Sequence, residues 1–134
     1  MKYEIFKTDQ QWRDELSKSE YQVLRLAGTE RAYTGELLEE KRLGTYSCRG
    51  CGVHLFEAET KFDSHCGWPS FYKSLENDAI EYIEDRAHGM VRTEVRCAKC
   101  GSHLGHLFDD APQTPTGNRY CINSVSITFD AKKD

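Results

Sequence analysis

Six cysteines and a closely spaced pair of histidines carry most of the chemistry open to this 134-residue sequence. Four of the cysteines sit in two copies of one pattern. Cys48-Arg49-Gly50-Cys51-Gly52-Val53-His54-Leu55 and Cys97-Ala98-Lys99-Cys100-Gly101-Ser102-His103-Leu104 share C-x-x-C-G-x-H-L. The C-x-x-C spacing lets two thiolates reach one ion from a tight turn, and the following glycine allows the close backbone approach that the turn needs. Two such pairs, Cys48, Cys51, Cys97 and Cys100, predict a tetrahedral four-thiolate site. Zinc is the expected ion, one per chain, although iron fits the same sulfurs. Four thiolates leave no open coordination position, so the expected role is structural, closing a long loop of chain. His54 is read as a polar residue of its knuckle and not as a ligand.

Cys66 and Cys121 remain. Cys121 falls in the most regular strand pattern of the chain, residues 120–129. Period two puts Arg119, Cys121 and Asn123 on one face, in line with Val125, Ile127 and Phe129. A guanidinium beside a thiol lowers its pKa and favours the nucleophilic thiolate; an inert buried cysteine is the alternative. His103 and His106, followed by Asp109 and Asp110, offer a proton donor and an orienting carboxylate, with either histidine as the donor. Ordinary surface histidines would look the same. Cys66 lies in Lys61-Phe-Asp-Ser-His-Cys-Gly-Trp-Pro-Ser-Phe71. Gly67 and Pro69 make this a loop, where a mobile resolving thiol belongs. Phe62, Trp68 and Phe71 supply aromatic surface on which a thioether methyl packs well.

These residues need a scaffold. Thr8 with Gln11 and Ser17 with Glu20 are capping-box patterns ahead of helices at 12–16 and 21–26, with Gly28 as the stop. Residues 29–44 are polar and read as loop or a further short helix. Residues 80–84 and 90–96 read as strands around a turn at His88-Gly89, and residues 111–117, with Pro112, Pro115 and Gly117, as an irregular loop. The expected architecture is one mainly β unit, 1–134, with a helical cover at 1–28 and a β core at 45–130. The apolar fraction is 38%, the charged fraction 30% and the formal net charge −4, which suits a compact domain. Scattered basic residues argue against nucleic acid and anionic membranes as partners. The polar first ten residues and the lack of a long apolar run lead to an expected cytoplasmic location, where thiols stay reduced.

Together these residues resemble the B-type methionine sulfoxide reductases. The match takes in Gly28-Thr-Glu-Arg31, Tyr33-Thr-Gly35, both knuckles, residues 61–71, His88-Gly-Met90, residues 103–108, and Gly117 to Ser124 with Arg119-Tyr-Cys-Ile-Asn123. The resemblance implies two antiparallel β-sheets with short N-terminal helices, stapled by a four-cysteine zinc site. It also implies an oxidoreductase that reduces the R epimer of methionine sulfoxide, mainly in peptides, and so repairs oxidised proteins. By the same resemblance Cys121 is the nucleophile and Cys66 resolves it as a disulfide that thioredoxin recycles. Trp68 and Phe71 meet the substrate, while His103, His106, Asp110, Arg119 and Asn123 surround the reacting atoms. The expected state is a monomer. One departure stands out: the family commonly has glycine just before the resolving cysteine, and this chain has His65. Without the resemblance, the residues also admit a zinc-ribbon-like binding module or an iron electron-transfer site.

Overall fold

A computed structural model describes residues 3–75 and 78–132, the side chain of His88 excepted. The expected unit 1–134 includes residues 1, 2, 76, 77, 133 and 134, which lie outside the described residues. Both capping boxes form: Thr8 caps α1 (Asp9–Glu15) and Ser17 caps α2 (Lys18–Leu24), each with its reciprocal bond from the third helical residue. Both helices start three residues earlier than expected, because the box residues themselves make the first turn. The stop also moves. Arg25 caps α2, and the left-handed residue is Ala27 (φ 57°) instead of Gly28. The buried Trp12 of α1 lies under the Arg25 guanidinium (4.3 Å), which in turn donates to Cys100 O (2.9 Å) and Ser102 Oγ (3.2 Å). The helices are therefore docked on the second knuckle. Residues 29–43 form a strap of turns with no further helix, and Gly44 already belongs to a strand.

Among the described residues, nine strands build two antiparallel sheets. The smaller is ordered β2 (His54–Glu57), β1 (Gly44–Cys48), β9 (Ile127–Ala131). The larger contains β3 (Lys61–Phe62), β4 (Ser70–Phe71), β5 (Ile80–Asp85), β6 (Arg92–Cys97), β7 (His103–Ala111) and β8 (Gly117–Ile122), ordered β3-β4-β8-β7-β6-β5. Tyr46, Leu55, Phe56, Phe71, Val95, Leu104, Ile122 and Ile127 form one buried cluster. Among the described residues no helix is long and apolar enough to cross a membrane.

The continuous strand expected at 120–129 is broken. A single 3-10 turn at Ser124–Ser126 separates β8 from β9 and hands the chain from the large sheet to the small one. Its buried polar groups are satisfied across the fold. Ser126 Oγ donates to His103 O (3.0 Å), and Ser124 Oγ accepts from Leu37 N (3.3 Å). The turn resets the side-chain period, so Cys121 does not share a face with Ile127. Tyr120 and Ile122 point into the core, and Arg119 and Cys121 point away from it.

Candidate active site and metal centre

The two knuckles have the same backbone wiring. Gly52 N donates to Cys48 O (2.7 Å) and Cys48 N to Val53 O (2.9 Å); Gly101 N donates to Cys97 O (2.8 Å) and Cys97 N to Ser102 O (2.9 Å). Gly52 (φ 83°) and Gly101 (φ 80°) adopt the left-handed turn that the C-x-x-C-G pattern demands. The sulfurs of Cys48, Cys51, Cys97 and Cys100 all lie within 4.8 Å of one another, with Cys48–Cys100 at 3.7 Å and Cys51–Cys97 at 3.5 Å. A tetrahedral ion bound by four thiolates at about 2.3 Å spaces its sulfurs by about 3.8 Å. The cluster is close enough to hold a metal ion and is compatible with zinc. Cys48 ends β1 and Cys97 ends β6, so such an ion would join the two sheets.

Cys121 lies on β8, inside the large sheet, with Ser70 of β4 opposite it on one side and His106 of β7 on the other. Strand β7 runs very close beside it. A Cβ on Gly105 would stand 2.0 Å from Cys121 O, so only glycine fits there. Cys66, on the loop before β4, brings its sulfur to 3.6 Å from that of Cys121. Ser64 Oγ donates to Cys66 Sγ (3.0 Å), and Ser70 Oγ lies 3.4 Å from it. The two thiols line a cleft of about 220 Å³ together with Trp68, His106, Arg119 and Asn123. Trp68 is held by its indole N–H, which donates to Glu30 O (3.0 Å). Asn123 accepts from Glu30 N (2.9 Å) and donates to Leu104 O (3.1 Å).

Arg119 lies over the Phe108 ring (4.4 Å) and makes a two-pronged bond to Asp110 (2.9 and 3.0 Å). Its charge pulls Cys121 toward the thiolate, as expected. A larger influence opposes it: the hydrogen bond with Cys66, together with burial, pushes Cys121 up. The same bond draws Cys66 down to about 4, burial opposing and the two serines assisting. One proton thus serves two sulfurs, and the titration belongs to the pair.

Not every expected site residue reaches the cleft. Phe71 is fully buried on the core side, stacked on Phe56 at 4.4 Å with Tyr46 edge-on at 5.0 Å. Residues 70 and 71 alternate across β4, which turns the Phe71 ring from Cys121. Asp110 is exposed and meets the cleft only through its bond to Arg119. His103 is buried behind His106, ring centres 5.6 Å apart, with Nδ1 bonded to Glu94 (2.6 Å). Its Nε2 has no hydrogen-bond partner among the described residues. His106 does line the cleft, with Nε2 bonded to Asp85 (2.8 Å), and burial pushes its pKa down against that carboxylate's pull. His65 has φ 61°, the left-handed region where glycine is favoured, and its side chain is 85% exposed beside Asp63.

Thr29, Arg92 and Phe108 line the cleft without having been anticipated. Phe108 follows His106 by one strand period, and Arg92 precedes Glu94, the partner of His106, by one. The Phe108 signal was available in the sequence, whereas that of Arg92 needs the pairing of β6 with β7. Thr29 has no local signal, because its place depends on the strap.

The carboxylates behind the histidines predict acid sensitivity. Burial pushes Glu94 up, but His103 and Arg96 outweigh it and bring Glu94 to about 2; the Ala87 N–H and His106 hold Asp85 at about 2. Ordinary values are 4.5 and 3.8. The folded state therefore keeps both ionised at a pH where the unfolded chain protonates them. Their stabilisation is complete above pH 4.5 and is lost as pH falls toward 2. Denaturant midpoints should fall across that window, and less steeply in Glu94→Gln. Parallel profiles for the two proteins would count against this account.

A family model described as the SelR domain matches residues 16–131. The chain belongs to this family. Among SelR relatives, the peptide methionine sulfoxide reductase MsrB of Leifsonia xyli subsp. xyli is 59% identical over 95% of the chain and 91% of its own length. The protein of that name from Alteromonas mediterranea is 56% identical over 90% of the chain and 84% of its own. The one from Leptospira interrogans is 50% identical over 96% and 98%. The resemblance read from the motifs, to an oxidoreductase family of B-type methionine sulfoxide reductases, is thereby established.

Proposed function

We propose that this chain reduces methionine sulfoxide, mainly the R epimer in peptides, through a Cys121 sulfenic acid and a Cys66–Cys121 disulfide that thioredoxin recycles. Its role is the repair of oxidised proteins in the cytoplasm, as a monomer with one structural zinc held by Cys48, Cys51, Cys97 and Cys100. The observation that carries this reading is the 3.6 Å contact between two thiols in one cleft. A zinc-ribbon-like binding module leaves that contact without a purpose. Epimer and reductant come from the family expectation.

The chemistry balances with these residues. The proton shared by the two sulfurs moves to Cys66, leaving a Cys121 thiolate beside the Arg119 guanidinium. That thiolate attacks the electrophilic sulfur, and the sulfoxide oxygen passes to Cys121 as it gains a proton. Methionine leaves and Cys121 becomes a sulfenic acid. His106 is the proton donor that fits best: Asp85 accepts from its Nε2, so in the protonated ring the other nitrogen carries the proton that goes to the oxygen. Proton transfer of this kind contributes roughly 10²–10⁴-fold. His103 and Glu94 support the His106 ring from behind, Asp110 holds Arg119, and Asn123 has a second amide N–H for the oxygen. Trp68 receives the substrate methyl group, a sulfur–aromatic contact of roughly 0.3–1.5 kcal/mol. Zinc, when bound, supplies a cross-link between sheets.

A single turnover tests the reading. Reduced, metal-loaded protein is mixed with a peptide carrying both sulfoxide epimers and no reductant, and products are followed by chiral chromatography and disulfide mapping. The expected result is one methionine per chain, from the R epimer alone, with a new Cys66–Cys121 bond. Unchanged peptide and two free thiols would overturn it.

A further inference from the structure

Cys66 sits on an irregular loop, and residue 33 of the strap is built around that loop on both sides. Tyr33 N donates to Gly67 O (2.7 Å), and the Tyr33 hydroxyl donates to His65 O (2.8 Å). The ring also closes on the backbone: a Cβ on Gly67 would stand 3.0 Å from Tyr33 Cε2. Both partners take a backbone form that disfavours L residues, Tyr33 at φ 68° and His65 at φ 61°. Two unfavourable conformations thus meet at one phenol–carbonyl bond. Tyr33 does this while 68% exposed, so its ring is not there to fill a core. The loop has somewhere else to go. Cys66 faces the cleft, whereas His65 and Gly67 line a second cavity of about 260 Å³ with Tyr33, Lys61 and Trp68.

We propose that Tyr33 is a positioning residue for the disulfide step, clasping the loop on either side of Cys66 so that the thiol stays against Cys121. The proposal rests on the reading of Cys66 as the resolving thiol. In that step the Cys66 sulfur attacks the Cys121 sulfenic acid. An S–S bond forms, the S–O bond breaks, and the hydroxyl leaves as water with the Cys66 proton. Holding two reacting groups in contact speeds such a step by removing the search. Tyr33 touches neither the substrate cleft nor Cys121, so attack on the sulfoxide does not depend on it.

Tyr33→Phe removes only the hydroxyl and keeps the ring and backbone bond. In single-turnover mixing, methionine should form at the wild-type rate. The sulfenic acid, trapped with dimedone at successive times, should persist roughly 2–10-fold longer, the rate equivalent of one net hydrogen bond. Tyr33→Ala, which also removes the ring, should lengthen it further. A sulfenic acid lifetime in Tyr33→Phe equal to or shorter than wild type overturns the proposal, and so does equal slowing of methionine formation, which marks general loosening. Failure of the wild-type protein to form the Cys66–Cys121 bond would instead sink the reading beneath it.

Discussion

Replacing Cys121 with serine brings sulfoxide reduction to background, a loss of at least ~10³-fold, because a hydroxyl at neutral pH has no counterpart to the thiolate. Cys66→Ser behaves differently. It should still release one methionine per chain and then stall when thioredoxin is the reductant, since the sulfenic acid has no internal thiol to meet. The contrast separates two thiols that look interchangeable in the resting geometry, where they share a proton across 3.6 Å. It extends to titration. The bond with Cys66 is the largest influence raising Cys121. Its removal should therefore shift the pH dependence of Cys121 alkylation downward, exposing the pull of Arg119. Full thioredoxin-driven turnover in Cys66→Ser would remove Cys66 from the mechanism. Activity retained in Cys121→Ser would reverse the roles assigned here.

Loss of the metal should be as damaging to the fold as loss of Cys121 is to the chemistry. Apparent folding energies from structural zinc reach ~10–16 kcal/mol in small peptides, against ~5–15 kcal/mol for the stability of a whole domain. In this chain the ion would bridge Cys48, at the end of β1, and Cys97, at the end of β6, and thus hold the small sheet against the large one. Cys97→Ser should purify with little metal, melt far below the wild type or fail to fold, and expose the Tyr46–Phe56–Phe71 cluster to dye binding. Metal content and calorimetry on the same samples check this. A metal-free variant that melts at the wild-type temperature would mean that the four sulfurs are not a structural metal site.

What could be read in advance depended on range. C-x-x-C-G and the two capping boxes are determined within five residues, and the structure realises both knuckles and both caps. The β5–β6 hairpin is equally local; Gly89 supplies its left-handed turn at φ 70°. The break at Ser124–Ser126 was hidden because the apolar alternation runs straight across it. Only partners distant in sequence, His103 O and Leu37 N, make buried serines acceptable there. Phe71 failed for a related reason. A motif marks an aromatic residue but not its face, and the face followed from the Ser70–Cys121 pairing. The second line of the site, Asp85 and Glu94, became visible only when β5 and β6 were laid beside β7.

The large sheet is unequal along its width. Cys121 sits on β8, which has a long ladder with β7, but the segment carrying Cys66 is tied in through two-residue strands, β3 and β4. Local opening is cheap where few ladder bonds must break, so the loop ahead of β4 can open at a small fraction of the cost of unfolding the sheet, while Phe71 of β4 stays in the core. A bond between the two sulfurs would bolt that loop to β8, a strand paired on both sides. The reduced and oxidised chains then differ less in shape than in how freely one edge breathes.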